Sequence, residues 1–73
     1  MNFTDYCKQN NIKLLPDDIK FVRSRIYGLP KLHRKAAMKR YVEIWVEVLH
    51  NCENAIEAQN RARRAANLYL LEM

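Results

Sequence analysis

A single glycine, Gly28, and two prolines, Pro16 and Pro30, are all that 73 residues contain of either type. A phosphate-cradling loop needs several glycines so that backbone N–H groups can close on the anion, and none can be built here. Cysteine is equally sparse. Cys7 and Cys52 are too few and too far apart in sequence for a disulfide framework, and no Cys-x-x-Cys pair offers a zinc half-site. Both are expected to be reduced, structural thiols. No apolar run approaches the ~18 residues of a membrane span. The N-terminus lacks the charged head, apolar centre and small-residue cleavage site of a secretory signal. The expected location is the cytoplasm.

Acid is missing locally. Between Ile19 and Val42 stand eight basic residues, Lys20, Arg23, Arg25, Lys31, Arg34, Lys35, Lys39 and Arg40, and no Asp or Glu. Glu43, Glu47, Glu53 and Glu57 then follow without a Lys or Arg, before Arg61, Arg63 and Arg64 restore positive charge. The formal charge of +5 is thus distributed in blocks, and a block of one sign points to a partner of the other.

The chain is short enough to be one domain, residues 1–73. A domain of this size buries only about 60% of the surface its unfolded chain exposes, so the core must be concentrated. Tyr41 to Leu49 supplies it, with Glu43 and Glu47 the only interruptions of an apolar run. Ahead of it, Thr4 can cap a short helix that stops at Asn10 and Asn11, with Phe3, Tyr6 and Cys7 on one face. Pro16 followed by Asp17 and Asp18 is a second helix start, with preset φ and acids where the helix dipole favours them. Ile19, Val22, Ile26 and Leu29 continue it at helical spacing. Gly28 is expected to end it in the left-handed conformation, and Pro30 to set the first turn of the next helix.

From Lys31 to Met73 there is no glycine or proline, and the whole segment is expected to be helical. Met38, Trp45, Val48, Cys52, Ile56, Ala62, Ala66 and Tyr69 keep phase on one side, Lys39, Arg40, Glu47, His50, Asn51, Asn54, Glu57 and Arg61 on the other. Unbroken phase favours one helix, roughly 60 Å long, which two short helices could not cover and which would therefore dimerise. Against this, Asn54 to Glu57 fits an N-cap with an acidic third residue. A turn at residues 50–54 would, however, bring Lys39 and Arg40 opposite Arg61 to Arg64. The fold class expected is all-α: two short N-terminal helices on a long C-terminal helical segment, continuous or broken near 50–54, in a dimeric helical bundle. Tyr41, Trp45, Val48, Cys52, Ala62, Ala66 and Tyr69 are its core or interface. Ala55, Ala58, Ala62, Ala65 and Ala66 offer a narrow face for close helix approach.

Catalytic chemistry finds no foothold in this pattern. His33 and His50 are read as solvated or cap-forming side chains, not members of a catalytic dyad, and the pairs Glu43/Glu47 and Glu53/Glu57 as a solvated acidic face, not as metal ligands. A non-enzymatic protein without metal or cofactor is expected. The basic block is the strongest functional feature. Lys20, Arg23, Lys31, Arg34, Lys35, Lys39 and Arg40 are the candidate nucleic-acid-binding residues, acting on phosphates by counterion release, with DNA favoured over RNA. A merely solvated basic face is the competing account. A sequence-reading helix-turn-helix is a poor match, because Arg23 and Arg34 fall where its corner needs apolar residues. The second functional class is a homodimeric or partner-binding module, motivated by the apolar segment and the alanine face. A membrane role is not expected, since the apolar stripe is needed for the core.

The run Arg61, Ala62, Arg63, Arg64, Ala65, Ala66, Asn67, Leu68, Tyr69, Leu70, Leu71 resembles an Arg-rich helix in the replication initiator (gene A) proteins of tailed temperate phages. There an Arg-x-Ala-Asn-Leu pattern precedes the nicking domain. The Leu29-Pro30 step and the aromatic helix around Tyr41 are loosely similar to what comes before it. The resemblance implies a role in phage or plasmid DNA replication. It does not extend to catalysis, because neither histidine has the second histidine, two residues away, of that family's metal motif. The implied role is that of a non-catalytic helical module.

Overall fold

The computed structural model describes residues 3–10 and 12–73, the side chains of Phe3, Thr4 and Tyr6 excepted. The expected Thr4 cap, the shared face of Phe3 and Tyr6, and the stop at Asn11 lie outside the described residues. Four helices follow one another: α1 (Phe3–Gln9), α2 (Pro16–Tyr27), α3 (Lys31–His50) and α4 (Ala55–Leu71). Among the described residues there is no strand, and the protein is all-α.

Pro16 is the first residue of α2, and Asp17 and Asp18 occupy its first turn. The Asp18 carboxylate turns back to accept the Leu15 backbone N–H at 3.0 Å, the acidic half of a capping box. Leu15 has no side-chain oxygen to return the bond. At the other end Gly28 is right-handed, φ −74° and ψ −13°, not left-handed as its residue type suggested. A tightened last turn satisfies the backbone instead: Gly28 N–H donates to the Ser24 carbonyl at 3.2 Å and Leu29 N–H to that of Ile26 at 3.1 Å. Arg34 then reaches back from α3 to donate to the carbonyls of Leu29 and Tyr27 at 3.1 and 3.3 Å. Donors from a side chain remove the need for a left-handed residue. Pro30 likewise sits one position earlier than expected, as the N-cap of α3 with its carbonyl accepting His33 N–H at 2.8 Å.

The segment 31–73 is broken, which corrects the inference of continuity from phase. Asn51 closes α3, its side-chain amide donating to the Glu47 carbonyl at 2.9 Å. Asn54 opens α4 by accepting Glu57 N–H at 3.0 Å. An N-cap of this kind is worth about 1 kcal/mol; the larger gain comes from folding back. Tyr41 and Trp45 of α3 each expose 0% of their surface and share one core cluster with Ala62 and Ala66 of α4, both also 0% exposed, while Ala58 on the same stripe is 2% exposed. Aromatic side chains bury about 150–250 Å² each, or about 4–6 kcal/mol per ring at 25 cal/mol per Å². Small residues on one helix and large ones on the other let the pair interlock.

The feared clash of cations is relieved, because Arg40, Arg61 and Arg63 each find an acid while Lys39 and Arg64 stand exposed to solvent. Arg40 lies 3.3 Å from Glu43 and 3.5 Å from Glu47, and Arg61 pairs with Glu57 on its own helix. The break also explains Ile56. In an uninterrupted helix it would share the Trp45 stripe; in the first turn of α4 it is 80% exposed. Val48 and Tyr69 are half-buried against the core, whereas Cys52, expected in the core or interface, is half-buried in the turn between α3 and α4 because the break carries it off the helical stripe. Val22 and Ile26 of α2, with Cys7 and Ile12 from the N-terminal segment, complete the core. The inference of a dimer from helix length thereby loses its premise, since one chain covers its own aromatic centre.

Candidate nucleic-acid interface

Basic side chains divide into two groups once the helices pack. Lys20 and Arg23 lie on the outer face of α2, and Lys31, Lys35 and Lys39 recur every fourth residue along the first half of α3; all five are exposed. None of them forms an ion pair within the fold among the described residues. The acid-free stretch therefore becomes two adjoining cationic helix surfaces joined by the Gly28 corner.

The other group holds the molecule together. Arg25 donates through Nε and Nη2 to the Leu70 carbonyl at 3.2 and 3.0 Å and through Nη2 to that of Leu71 at 3.1 Å. It thus places a cation at the C-terminus of α4, where the helix dipole favours one. Arg34 does the same for α2, and its guanidinium lies 5.3 Å from the centre of the Tyr27 ring. Arg34 and Arg40, both counted among the phosphate-binding candidates, are thus engaged intramolecularly, although Arg40 remains on an exposed surface.

Beneath the cationic surface runs a chain of polar groups. Asp18, 7% exposed, accepts from Arg63 Nε at 2.6 Å through Oδ2 and from Asn67 Nδ2 at 3.4 Å through Oδ1. Asn67 in turn accepts the Tyr41 hydroxyl at 2.7 Å. Arg63 also donates to Asn60 at 2.8 Å and to the Lys13 carbonyl at 3.1 Å, while its guanidinium sits 5.5 Å from the Trp45 ring centre. Trp45 Nε1 donates to Gln59 Oε1 at 3.0 Å. No buried side-chain nitrogen or oxygen among the described residues is left unpaired. Burial, then the charge of Asp18 and the neighbouring Cys7, pushes the Tyr41 phenol well above its ordinary value, with Arg63 opposing. Burial alone pushes the Cys7 thiol up to about 12, so it remains protonated and inert near neutrality. Among the described residues no three His, Cys, Asp or Glu side chains converge as metal ligands.

These polar contacts were the least visible part of the sequence. Asp17 and Asp18 both read as helix-start acids, yet Asp18, Val22 and Ile26 are spaced by four and share the inner face. An acid in an apolar stripe was the available signal, and Gln59, Arg63 and Asn67, also spaced by four beside the alanine stripe, were its counterpart. No protein-family model, curated protein or solved structure matches the chain.

Proposed function

We propose that the protein is a small, non-catalytic helical module that binds the phosphate backbone of nucleic acid, DNA in preference to RNA, through Lys20, Arg23, Lys31, Lys35 and Lys39. One observation carries this: these five cations are exposed and make no ion pair among the described residues, whereas Arg25, Arg34, Arg40, Arg61 and Arg63 all have partners within the fold. The likeness of the Arg61 to Leu71 run to a helix of phage replication initiators supports a place in phage or plasmid DNA replication. In the fold, Arg63 and Asn67 of that run serve the polar network and Arg64 alone of its arginines is exposed without an ion pair among the described residues, so the cluster of cations on α2 and α3 is taken as the main phosphate contact. Neutralising five phosphates gives an affinity that falls with salt at a log–log slope of about −4.5 on duplex DNA. Titration of a labelled oligonucleotide at several salt concentrations tests this. Joint replacement of Lys31, Lys35 and Lys39 by glutamate is expected to abolish binding with the melting temperature little changed. No binding of the parent protein at low salt would refute the proposal.

A second reading, a homodimeric or partner-binding module, is favoured by Leu68, Leu71 and Met73, which are 50, 57 and 49% exposed near the end of α4. It predicts association that rises with concentration in light scattering and is lost on changing Leu68 and Leu71 to serine. A strict monomer at high concentration rules out its homodimeric form.

A further inference from the structure

Tyr27 is the one aromatic side chain among those described that stands largely in solvent, at 67% exposure; Tyr41 and Trp45 are buried, and Phe21 and Tyr69 half-buried. Scattered exposed apolar residues are ordinary, but the surroundings of this ring are not. One side of it is backed by the Arg34 guanidinium, 5.3 Å from the ring centre, and that guanidinium is itself held by the Leu29 and Tyr27 carbonyls. The ring is thus braced against α3 with most of its surface open. Arg23 and Lys20 precede it by four and seven residues on the same face of α2, about 6 and 10 Å away along the helix axis. Lys31 follows across the corner, and Leu32, 93% exposed, stands next to it.

A flat aromatic face inside a cationic surface is the arrangement that binds single-stranded nucleic acid, in which unpaired bases stack on rings while basic groups follow the backbone. A duplex keeps its bases stacked on one another and offers such a ring nothing. Resting on the phosphate-binding reading above, we propose that Tyr27 is a base-stacking platform, that the preferred ligand is single-stranded nucleic acid, and that Arg34 is a positioning residue which braces the ring.

The test measures fluorescence anisotropy of labelled oligothymidylate and of a duplex of equal length, with the full chain and with the Tyr27→Ala and Tyr27→Trp variants. Expected are tighter binding of the single strand by the parent and a loss of about ten- to a hundredfold for Tyr27→Ala on the single strand only. Tyr27→Trp should bind at least as well as the parent, and the Tyr27 ring resonances should move upfield as oligothymidylate is added. The salt slope on the single strand, about −3.5 for five phosphates, should be the same for Tyr27→Ala as for the parent, because stacking removes no counterions. If the parent binds and Tyr27→Ala binds the single strand equally well, the platform is refuted while the cationic surface stands. If neither nucleic acid binds, both fall. Capture by phosphatidylserine vesicles in place of oligonucleotide, lost in both Tyr27→Ala and Leu32→Ala, would assign the surface to membranes and also overturn the proposal.

Discussion

At the residue scale, large consequences attach to Trp45, Asp18 and Arg63. Trp45 has no exposed surface and packs on the Tyr41 ring with centroids 5.9 Å apart, so Trp45→Ala is expected to cost about 3–5 kcal/mol. That is most of the stability a small domain has, and a urea melt will show it. Arg63→Ala is expected to be nearly as damaging, at about 3 kcal/mol. It leaves the Asp18 carboxylate buried without its cation, and breaking such a pair costs far more than the pair contributes against an apolar replacement. Adding Asp18→Asn to Arg63→Ala should recover part of the loss, and a double-mutant cycle measures how much. The thiols should separate cleanly: Cys52 is half-buried and Cys7 is 2% exposed with its thiol held protonated. A thiol reagent applied to the native protein is expected to label Cys52 and to reach Cys7 only after denaturation.

The same raised ionisations set an alkaline limit. Cys7 and Tyr41 lose protons from ordinary values of 9.0 and 10.0 when unfolded, but at higher pH in the fold. Above about pH 9 the unfolded chain therefore binds fewer protons than the native one, and stability falls as pH rises towards the folded values. Below that point both groups are protonated in both states and contribute no pH dependence. Denaturation midpoints should be flat on these groups' account near neutrality and drop at alkaline pH, and the drop should shrink in Tyr41→Phe.

At the scale of elements, the turn between α3 and α4 decides the architecture. Its local cause is Asn54, whose side chain caps α4; Asn54→Ala should lower stability by about 1 kcal/mol, whereas Asn54→Asp should cost only tenths. The α2–α3 corner depends less on its glycine than on Arg34. Gly28 has ordinary right-handed dihedrals, and a Cβ there would come no closer than 3.4 Å to the Ser24 and Arg25 carbonyl oxygens. Gly28→Ala is accordingly expected to be tolerated, within about 1 kcal/mol of the parent. Arg34→Ala should be the more harmful of the two, because two carbonyls of the corner lose their donor. Melts of both variants side by side rank them.

At the scale of the whole molecule, the chain measures 36 × 26 × 20 Å with a Cα radius of gyration of 11.7 Å, close to the ~11 Å of a compact chain of this length. Small-angle scattering in dilute solution is expected to give a value near this. An uninterrupted α3–α4 helix, about 60 Å long, would by itself have a radius of gyration near 17 Å, so the two arrangements are distinguishable without a crystal. No helix among the described residues is long and apolar enough to cross a membrane.

Helical character, the start at Pro16, the core of Tyr41 and Trp45 and the acid-free basic block were all legible in the amino-acid order, because each rests on local chemistry; Asn54 offered a cap signal that unbroken phase outweighed. Backbone capping, periodicity and charge spacing act over a few residues. Whether α3 and α4 were one helix was not legible: a phase carried across residues 50–54 is compatible with both forms. The choice rests on what Trp45 can bury against fourteen residues away, at Gln59 and the alanine stripe. Nor could local pattern sort the cations. Arg34 and Lys35 are neighbours in sequence, yet one closes a helix end while the other stands in solvent, and Asp18 and Asp17 divide in the same way. Their roles depend on groups such as Arg63, 45 residues from Asp18, that only packing brings near. The tertiary structure thus decided which charges hold the fold and which stand in solvent, since pairing energy depends on distance through space and on burial, and sequence order specifies neither.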